Sequence, residues 1–330
     1  MRTRKQGSTW TLYLIGLSLI LFGVSRFGVA YAADKPFPNK EITLIVSYGA
    51  GGQRDTLARG VGNTMSKHLG VPIVVLNMPG GGGIRGAVQL YHAAPDGYTI
   101  GIGNVTEIVT QLVENVEYDM RKFIHVGFAQ SSPAFFFVKS DSPIRKIADL
   151  KAWGKPVRHS TFSAANPNAV ALISLAKREG FSLAMVGGFP TVPATILSLI
   201  RGECEVIASS MPGAAQFLKA GQIRPILTLS PKRAPEFPDT PTVGEIGYED
   251  LAFLGLDYWF MAPPGVPKDR VKVLDDALLK THKDPAFIAW AKGAGVDPFA
   301  LNSEETTKRV MNLAASLEQF KGDVAKYVKR

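Results

Sequence analysis

The stretch Ile42-Thr43-Leu44-Ile45-Val46-Ser47-Tyr48-Gly49-Ala50-Gly51-Gly52-Gln53-Arg54-Asp55 carries the pattern that decides the fold. Together with Glu41 before it, its first part up to Ser47 is a short β-branched and apolar run, which predicts a buried strand. A glycine-rich turn over residues 48–52 follows. Apolar residues at helical spacing from Thr56 to Leu69 then predict a helix. The stretch is therefore a strand–turn–helix unit.

The glycine-rich turn in this unit suits a bound anion. Glycine lets backbone N–H groups point at a ligand with no Cβ in the way, and the helix N-terminus adds roughly half a positive charge. A tight connection without a ligand is the alternative. Asp55 either complements the helix dipole, accepts a hydrogen bond from a ligand, or braces the loop. Arg54 either pairs with a ligand carboxylate or points to solvent.

The same alternation recurs along the chain and predicts an α/β protein with a mostly parallel sheet. Further strands are predicted at 73–76, 98–102, 134–138, 157–161, 183–186 and 205–208, and further helices at 84–94, 147–152, 168–177, 192–200, 269–282 and 303–327, the last with a capped start at Ser303. A mature length of about 300 residues predicts two domains. No low-complexity linker separates the halves, so we expect crossing strands to join them.

The N-terminal segment has the order of a secretory signal. Basic residues within the first five positions are followed by an apolar stretch from Trp10 to Val24 and by Ala30-Tyr31-Ala32, which predicts cleavage after about Ala32. An uncleaved membrane anchor is the alternative. Removing residues 1–32 would lower the formal net charge from +9 to +5. The basic residues are scattered, so we expect no nucleic-acid partner, and a modest positive field favours an anionic ligand.

Catalytic and cofactor motifs are not apparent in this sequence. The five histidines lack metal-ligand spacing, no G-x-S-x-G elbow is present, and the single Cys204 excludes an intramolecular disulfide. Gly81, Gly83 and Gly86 formally satisfy G-x-G-x-x-G, which alone is weak support for dinucleotide binding. We interpret these glycines as a wall of a cleft or a tight turn. We expect a protein without cofactor or metal that is not an enzyme.

A set of short motifs over most of the mature chain resembles the substrate-binding receptors of tripartite tricarboxylate transporters, also called Bug-type receptors. The motifs are the 42–46 run with Ala50-Gly51-Gly52, Asp55 and Leu57-Ala58-Arg59; Asn77-Met78-Pro79-Gly80; Ala94-Pro95-Asp96-Gly97-Tyr98-Thr99; Gly221-Gln222-Ile223-Arg224; Pro238-Asp239-Thr240-Pro241-Thr242-Val243; and Ala262-Pro263-Pro264-Gly265-Val266-Pro267. Their order and spacing make the set specific.

The resemblance implies a class II periplasmic-binding-protein fold, with two doubly wound α/β lobes and a ligand cleft between them. We expect residues 1–32 to be the signal peptide, 33–132 plus 255–330 to form lobe 1, and 133–254 to form lobe 2. The chain would cross twice between the lobes. The mature protein would be a periplasmic monomer.

The resemblance also implies a ligand and a site. The turn from Tyr48 to Asp55 would hold a ligand carboxylate, and the loop from Ser163 to Asn166 would close on it from the second lobe. The candidate contacts are Tyr48, Ala50, Gly51, Gly52, Gln53, Arg54, Asp55, Phe162, Ser163, Ala164, Asn166, Gly188 and Ser209. Where the family often has small polar residues this chain has Gln53 and Arg54, and we expect these two and Phe162 to set specificity.

The implied function is capture of a small organic carboxylate for uptake. The candidates are a di- or tricarboxylate, an aromatic acid or an amino acid, delivered to the membrane permease subunits of a tripartite tricarboxylate transporter. Two alternatives stay open. The chain would otherwise present its ligand to a membrane-bound sensor kinase, or would be a periplasmic enzyme on the same fold.

Overall fold

Two five-stranded sheets organise the computed structural model, which describes residues 36–189 and 191–328. The described residues from Phe37 onward form one compact unit. The strands are β1 Ile42–Val46, β2 Ile73–Asn77, β3 Thr99–Asn104, β4 Ile124–Ser132, β5 Ala134–Lys139, β6 Val157–Ser160, β7 Leu183–Val186, β8 Val206–Ser209, β9 Ile223–Leu229 and β10 Leu256–Ala262. The helices are α1 Gln53–Leu69, α2 Ile84–Tyr91, α3 Val105–Val113, α4 Pro167–Glu179, α5 Val192–Ile200, α6 Met211–Lys219, α7 Lys268–Lys283, α8 Pro285–Ala294, α9 Ser303–Leu317 and α10 Lys321–Val328.

The two sheets share one topology. The first has the order β2-β1-β3-β10-β4, and the second has the order β7-β6-β8-β5-β9. In each, three strands run parallel and the remaining two continue the sheet with antiparallel pairing. The predicted α/β alternation is confirmed. Because the parallel strands are each followed by a helix, their carboxyl ends carry the loops on which open α/β sheets place ligands.

The chain passes to the second sheet in an extended stretch, as the absence of a linker led us to expect, but it returns through turns and the 3-10 helix Glu249–Leu251. Only Pro133 separates β4 of the first sheet from β5 of the second, and the return runs between β9 and β10. The lobe boundaries after residues 132 and 254 stay predictions. The predicted signal peptide lies outside the described residues.

Several element boundaries differ from the sequence prediction. Helix α1 begins at Gln53 and not at Thr56, because its first turn is polar and therefore invisible to apolar periodicity. The cap of α9 is Asn302 and not Ser303: its side chain accepts the Glu305 N–H in a capping box. The predicted last helix is interrupted at Glu318–Phe320, where Phe320 turns into the core.

The position of α1 follows from the residues that it packs into the core. Leu57, Val61 and Met65 are fully buried, as their spacing predicted, and Gly60 is bare because a Cβ there would meet the Trp290 ring of α8. Strand β10 is buried along its whole length. The described residues contain no helix long and apolar enough to cross a membrane.

The only cysteine, Cys204, is a small buried side chain in the second sheet's smaller apolar cluster. Its Sγ lies 3.6 Å from the Ser198 Oγ. Burial raises the pKa of the Cys204 thiol, with nearby hydroxyl groups opposing the shift. A protonated, buried thiol is unreactive, which agrees with the packing role expected from the sequence.

Candidate functional site

A cavity lies between the two sheets at the carboxyl ends of their parallel strands. The cavity holds about 720 Å³ of atom-free space, its open mouth included. Eight of the predicted contacts line it: Tyr48, Gly52, Gln53, Arg54, Asp55, Phe162, Asn166 and Ser209. The turn after β1 and the loop after β6 therefore face one space, although they are more than 100 residues apart in the chain.

Five helix N-termini converge on this cavity. Its lining includes the first residues or caps of α1, α3, α4, α5 and α6. Four of these helices are capped by their own side chains: Asn104, Asn166, Thr191 and Ser210 each accept a backbone N–H of the following turn. Each N-terminus contributes partial positive charge, so the cavity favours an anion before any charged side chain is considered.

Helix α1 differs from the other four because its N-cap is a glycine. Gly52 has extended backbone angles and offers no side-chain cap. The first hydrogen bond toward the helix runs from the Thr56 N–H to the Gly52 carbonyl at 2.9 Å. The N–H groups of Gln53, Arg54 and Asp55 precede it and have no intrahelical acceptor. The start of α1 thus provides three backbone N–H donors beside the cavity.

Asp55 braces the turn that precedes α1. Its Oδ2 accepts the Gly51 N–H at 2.9 Å and the Arg59 Nε–H at 3.1 Å, and its Oδ1 accepts the Asn77 side-chain amide at 2.9 Å. Burial alone would raise the pKa of Asp55, but the hydrogen bonds from Arg59, Gly51 and Asn77 together lower it. Of the three roles considered for Asp55, the geometry supports bracing.

Arg54 is buried and does not point to solvent. Its Nη1 lies 2.5 Å from the Glu107 Oε1, and both side chains are at most 5 % exposed. The guanidinium carbon sits 4.4 Å from the Tyr48 ring centre and 5.7 Å from that of Tyr258. Glu107 is itself fixed, because its Oε2 accepts the Asn104 N–H in the capping box of α3.

The pKa values of the buried groups around Arg54 are shifted. Burial opposes the charge on Arg54, yet the Glu107 carboxylate and the two tyrosines outweigh it and raise the pKa of the guanidinium. Burial raises the pKa of Tyr48 to about 12 and also raises that of Tyr258. Arg54 is therefore a permanent cation, and both tyrosines are neutral hydroxyls at physiological pH.

Three buried polar atoms on the cavity wall have no hydrogen-bond partner within the described residues. They are the Thr106 Oγ1, the Asn168 Oδ1 and the Ser209 Oγ. Leaving a buried polar atom unpaired costs about 1–3 kcal/mol, and buried polar groups are otherwise almost always satisfied. Hydroxyl groups can donate to an oxyanion, so Thr106 and Ser209 add donors to those of α1.

Five predicted contacts do not line the cavity. Ala50, Gly51, Ser163 and Ala164 lie in the same two loops and Gly188 lies after β7, but none of the five is among the lining residues. The Gly51 N–H is already used by Asp55, and the Ser163 Oγ accepts the Ala165 N–H. Their assignment as ligand contacts stays a prediction.

Ten further lining residues were missed by the sequence analysis: Gly49, Asn104, Thr106, Asn168, Thr191, Val192, Ala208, Ser210, Leu256 and Tyr258. The sequence did contain a signal for Asn104 and Thr106, at the start of α3. Asn104-Val105-Thr106-Glu107 follows a predicted strand and has the spacing of a capping box. Tyr258 had no such signal, since it reaches the cavity only because β10 pairs with β3, with Tyr258 opposite Asn104.

The second glycine-rich loop is a tight turn that supports the first. Gly80, Gly81, Gly82 and Gly83 all have positive φ, and the Gly82 carbonyl accepts the Tyr48 hydroxyl at 2.7 Å. A Cβ on Gly86 would lie 2.8 Å from the Ser47 Cα, so this glycine permits close packing of α2 on β1. None of the five lines the cavity.

Comparison with known proteins agrees with this geometry. A family model described as "Tripartite tricarboxylate transporter family receptor" matches residues 57–319. A UPF0065 protein of Agrobacterium vitis is 30% identical over 310 residues, which cover 91% of this chain and 86% of that protein. The matching family is one of transporter receptors, which are binding proteins and not enzymes.

Solved structures share the fold. The periplasmic binding protein BugD superposes with a TM-score of 0.74 at 23% identity, covering 86% of this chain and 98% of its own. MatC of Rhodopseudomonas palustris with bound malate gives a TM-score of 0.75 at 23% identity, covering 86% and 100%. The fold expected from the sequence, two lobes with a cleft between them, is confirmed.

Proposed function

The chain belongs to the tripartite tricarboxylate transporter receptor family, a family of solute-binding proteins, and on that premise we propose that it captures a small organic carboxylate in the periplasm. Delivery of the ligand to the membrane permease subunits of such a transporter completes the proposal. Family membership and the malate in a structural neighbour support the ligand class.

One observation carries the proposal: α1 is the uncapped helix among five whose N-termini meet in the cavity. Its three free N–H groups and the helix dipole form an anion site. Thr106 and Ser209, whose buried hydroxyl oxygens have no hydrogen-bond partner among the described residues, line the same cavity. A carboxylate placed there would cap α1 as the Asn104, Asn166, Thr191 and Ser210 side chains cap their own helices.

The proposed ligand contacts combine residues of the two predicted loops with further residues that line the cavity. Gln53, Arg54 and Asp55 would present N–H groups from the start of α1, beside the first sheet. Ser209 and Asn168 would contribute from the second. We propose lobe 1 as residues 33–132 plus 255–330 and lobe 2 as 133–254, closing on the ligand like a hinge.

The test is to give α1 a cap of its own. Gly52→Asp is compatible with the backbone, because φ is −78° and an added Cβ would have 3.7 Å to its nearest neighbour. An aspartate cap should stabilise the unliganded protein by about 0.5 kcal/mol. It should also weaken carboxylate binding at least about tenfold, or 1.4 kcal/mol, since its own carboxylate occupies the same N–H groups.

The measurements are chemical unfolding without ligand and calorimetric titration with a panel of small carboxylates. Gly322→Asp is the matched control, because it adds the same charge at the start of α10, outside the cavity and in open space. It should leave affinity unchanged. Undiminished binding by Gly52→Asp would reject α1 as the anion site, and chemical conversion of the bound compound would contradict a receptor role.

A further inference from the structure

The charges on the cavity wall are already paired within the protein. Arg54 and Asp55 are the only charged side chains among the described residues that line the cavity. Arg54 is paired with Glu107 at 2.5 Å, and Asp55 with Arg59 at 3.0 Å. Within residues 36–189 and 191–328, no lysine, histidine or second arginine lines the space. The side chains therefore present no unmatched positive charge to a ligand.

The Arg54–Glu107 pair is held too firmly to change partner easily. Glu107 is fixed from two sides, by the Asn104 N–H at 2.9 Å and by Arg54. The Arg54 Nη1 also donates to the Ile102 carbonyl at 3.4 Å, and the guanidinium is bounded by the Tyr48 and Tyr258 rings. A ligand carboxylate that drew Arg54 away from Glu107 would leave the Glu107 carboxylate buried without its counter-charge, which is strongly unfavourable. One that bound Arg54 in place would add a second carboxylate to a guanidinium whose charge Glu107 already balances.

One carboxylate is nevertheless well accommodated. The three free N–H groups of α1 and the unpaired hydroxyls of Thr106 and Ser209 supply uncharged donors for a single anionic group. A second carboxylate in the same cavity would find neither a free cation nor a second uncapped helix, because the other four N-termini are capped.

The rest of the wall suits an apolar ligand body. Tyr48, Phe162 and Tyr258 supply aromatic surface, and Val192, Ala208 and Leu256 supply aliphatic surface. Pockets of this kind use a few polar groups to orient a ligand and apolar side chains to hold the remainder. Flat aromatic walls favour a planar, ring-sized body.

We propose that this receptor takes a monocarboxylate with an apolar, ring-sized body, and that the internal Arg54–Glu107 ion pair discriminates against dicarboxylates. The inference rests on the proposed function, because it concerns the ligand of the same site. Arg54 and Glu107 act here as specificity-determining residues: the cation that would attract a second carboxylate is neutralised from within.

The first experiment compares matched ligands on the wild-type protein by isothermal titration calorimetry. Benzoate and cyclohexanecarboxylate are the monocarboxylates, terephthalate adds a second carboxylate to the same ring, and succinate, malate and adipate are flexible dicarboxylates. We expect benzoate to bind at least about tenfold (~1.4 kcal/mol) more tightly than any of the dicarboxylates. A dicarboxylate that binds as tightly as benzoate overturns the inference and leaves the proposed function standing.

The second experiment removes the internal counter-charge. Glu107→Gln keeps the capping-box spacing, since glutamine also serves at this position, while it leaves the Arg54 charge unpaired. The ratio of terephthalate to benzoate affinity should rise about tenfold or more. Glu114→Gln, at the other end of α3 and outside the cavity, is the matched control and should leave the ratio unchanged.

The outcomes separate the two proposals. An unchanged ratio in folded Glu107→Gln, judged by circular dichroism, overturns the role of the ion pair. If Glu107→Gln does not fold, the wild-type ligand series decides alone. Failure of every carboxylate to bind wild-type protein, mono- and dicarboxylate alike, rejects the proposed function together with the inference.

Discussion

Two histidines show how single buried residues set the response of this protein to acid. The His159 Nδ1 lies 3.0 Å from the Val206 carbonyl, and the His125 Nε2 lies 3.1 Å from the Met120 carbonyl. Burial lowers the pKa of each to about 4. Unfolded histidine titrates near 6.5, so between these pH values the unfolded chain binds more protons than the folded one.

This difference predicts a loss of stability on mild acidification. For a group whose folded pKa is lowered, the stabilisation is full above pH 6.5 and declines as the pH falls toward 4. His159 alone should account for about 2 kcal/mol of the decrease between pH 7 and pH 5. Urea unfolding at both pH values gives the free energy of unfolding of wild type and of His159→Gln. Its decrease from pH 7 to pH 5 should be smaller in the variant. The exposed His92, changed to glutamine, is the control, and an equal decrease in His159→Gln would contradict the assignment.

At the residue scale, the sequence patterns identified important side chains but did not identify the residues that these side chains contact. The turn before α1 pointed to Arg54 and Asp55 because glycines and a helix start surround them. Glu107 was not predictable as the partner of Arg54, since the two are 53 residues apart and meet only where β1 and β3 pair. The same holds for Asp55, whose bracing role depends on Asn77 at the end of a neighbouring strand.

At the scale of elements, the packing of α2 on β1 places the turn that leads to the cavity. Gly86 faces the Ser47 backbone, and a Cβ there would lie 2.7 Å from the Ser47 Oγ and 2.8 Å from its Cα. Backbone atoms cannot rotate away as a flexible side chain can. The third glycine of the G-x-G-x-x-G pattern therefore has a packing explanation within this chain.

Gly86→Ala should destabilise the protein despite the higher helix propensity of alanine. Overpacking costs about 1–3 kcal/mol, which exceeds the gain of about 1 kcal/mol for replacing glycine in a helix. Gly322→Ala is the matched control in α10, where no atom lies within 4 Å of the added Cβ, and it should stabilise by up to about 1 kcal/mol. Thermal and urea unfolding report both values. A stabilised Gly86→Ala would show that α2 can move away from β1 without loss.

Strong periodicity made most elements predictable, and tertiary context decided the others. Strands β1 and β7 and helix α5 follow from local pattern within one residue or so at each end. The break in the C-terminal helix does not, because it depends on Phe320 packing near Phe253, with ring centres 6.5 Å apart. Helix α8 was missed although Asp284 and Pro285 form a typical helix start.

At the scale of the whole molecule, loops of the two sheets approach each other beside the cavity. An added Cβ on Gly82, after β2, would lie 3.8 Å from the Ser163 Cβ, after β6. This equals the usual Cβ separation in a disulfide, about 3.8 Å. Helix α10 packs against both α3 and α4 and contributes the ion pair Lys177–Asp323 at 2.7 Å.

The double variant Gly82→Cys with Ser163→Cys should therefore form a disulfide between the two loops, although the positive φ of residue 82, +64°, makes the cysteine there strained and lowers the stability of the variant. Because hinge opening is proposed to admit and release the ligand, oxidation should slow ligand dissociation by on the order of tenfold or more, and reduction should restore the rate. Stopped-flow dissociation with each single variant as control measures this. Equal rates in the oxidised and reduced protein would mean that release needs no separation of these loops.

The burial of Cys204 makes this chain a suitable background for thiol-specific spectroscopy. A thiol that is 3 % exposed, with a pKa raised by its surroundings, reacts slowly with maleimides and methanethiosulfonates. Cysteines introduced in pairs on exposed positions of the two sheets would then be the only sites to take up fluorophores or spin labels. Distances between such labels, measured with and without ligand, would test the proposed lobe movement directly in otherwise native protein.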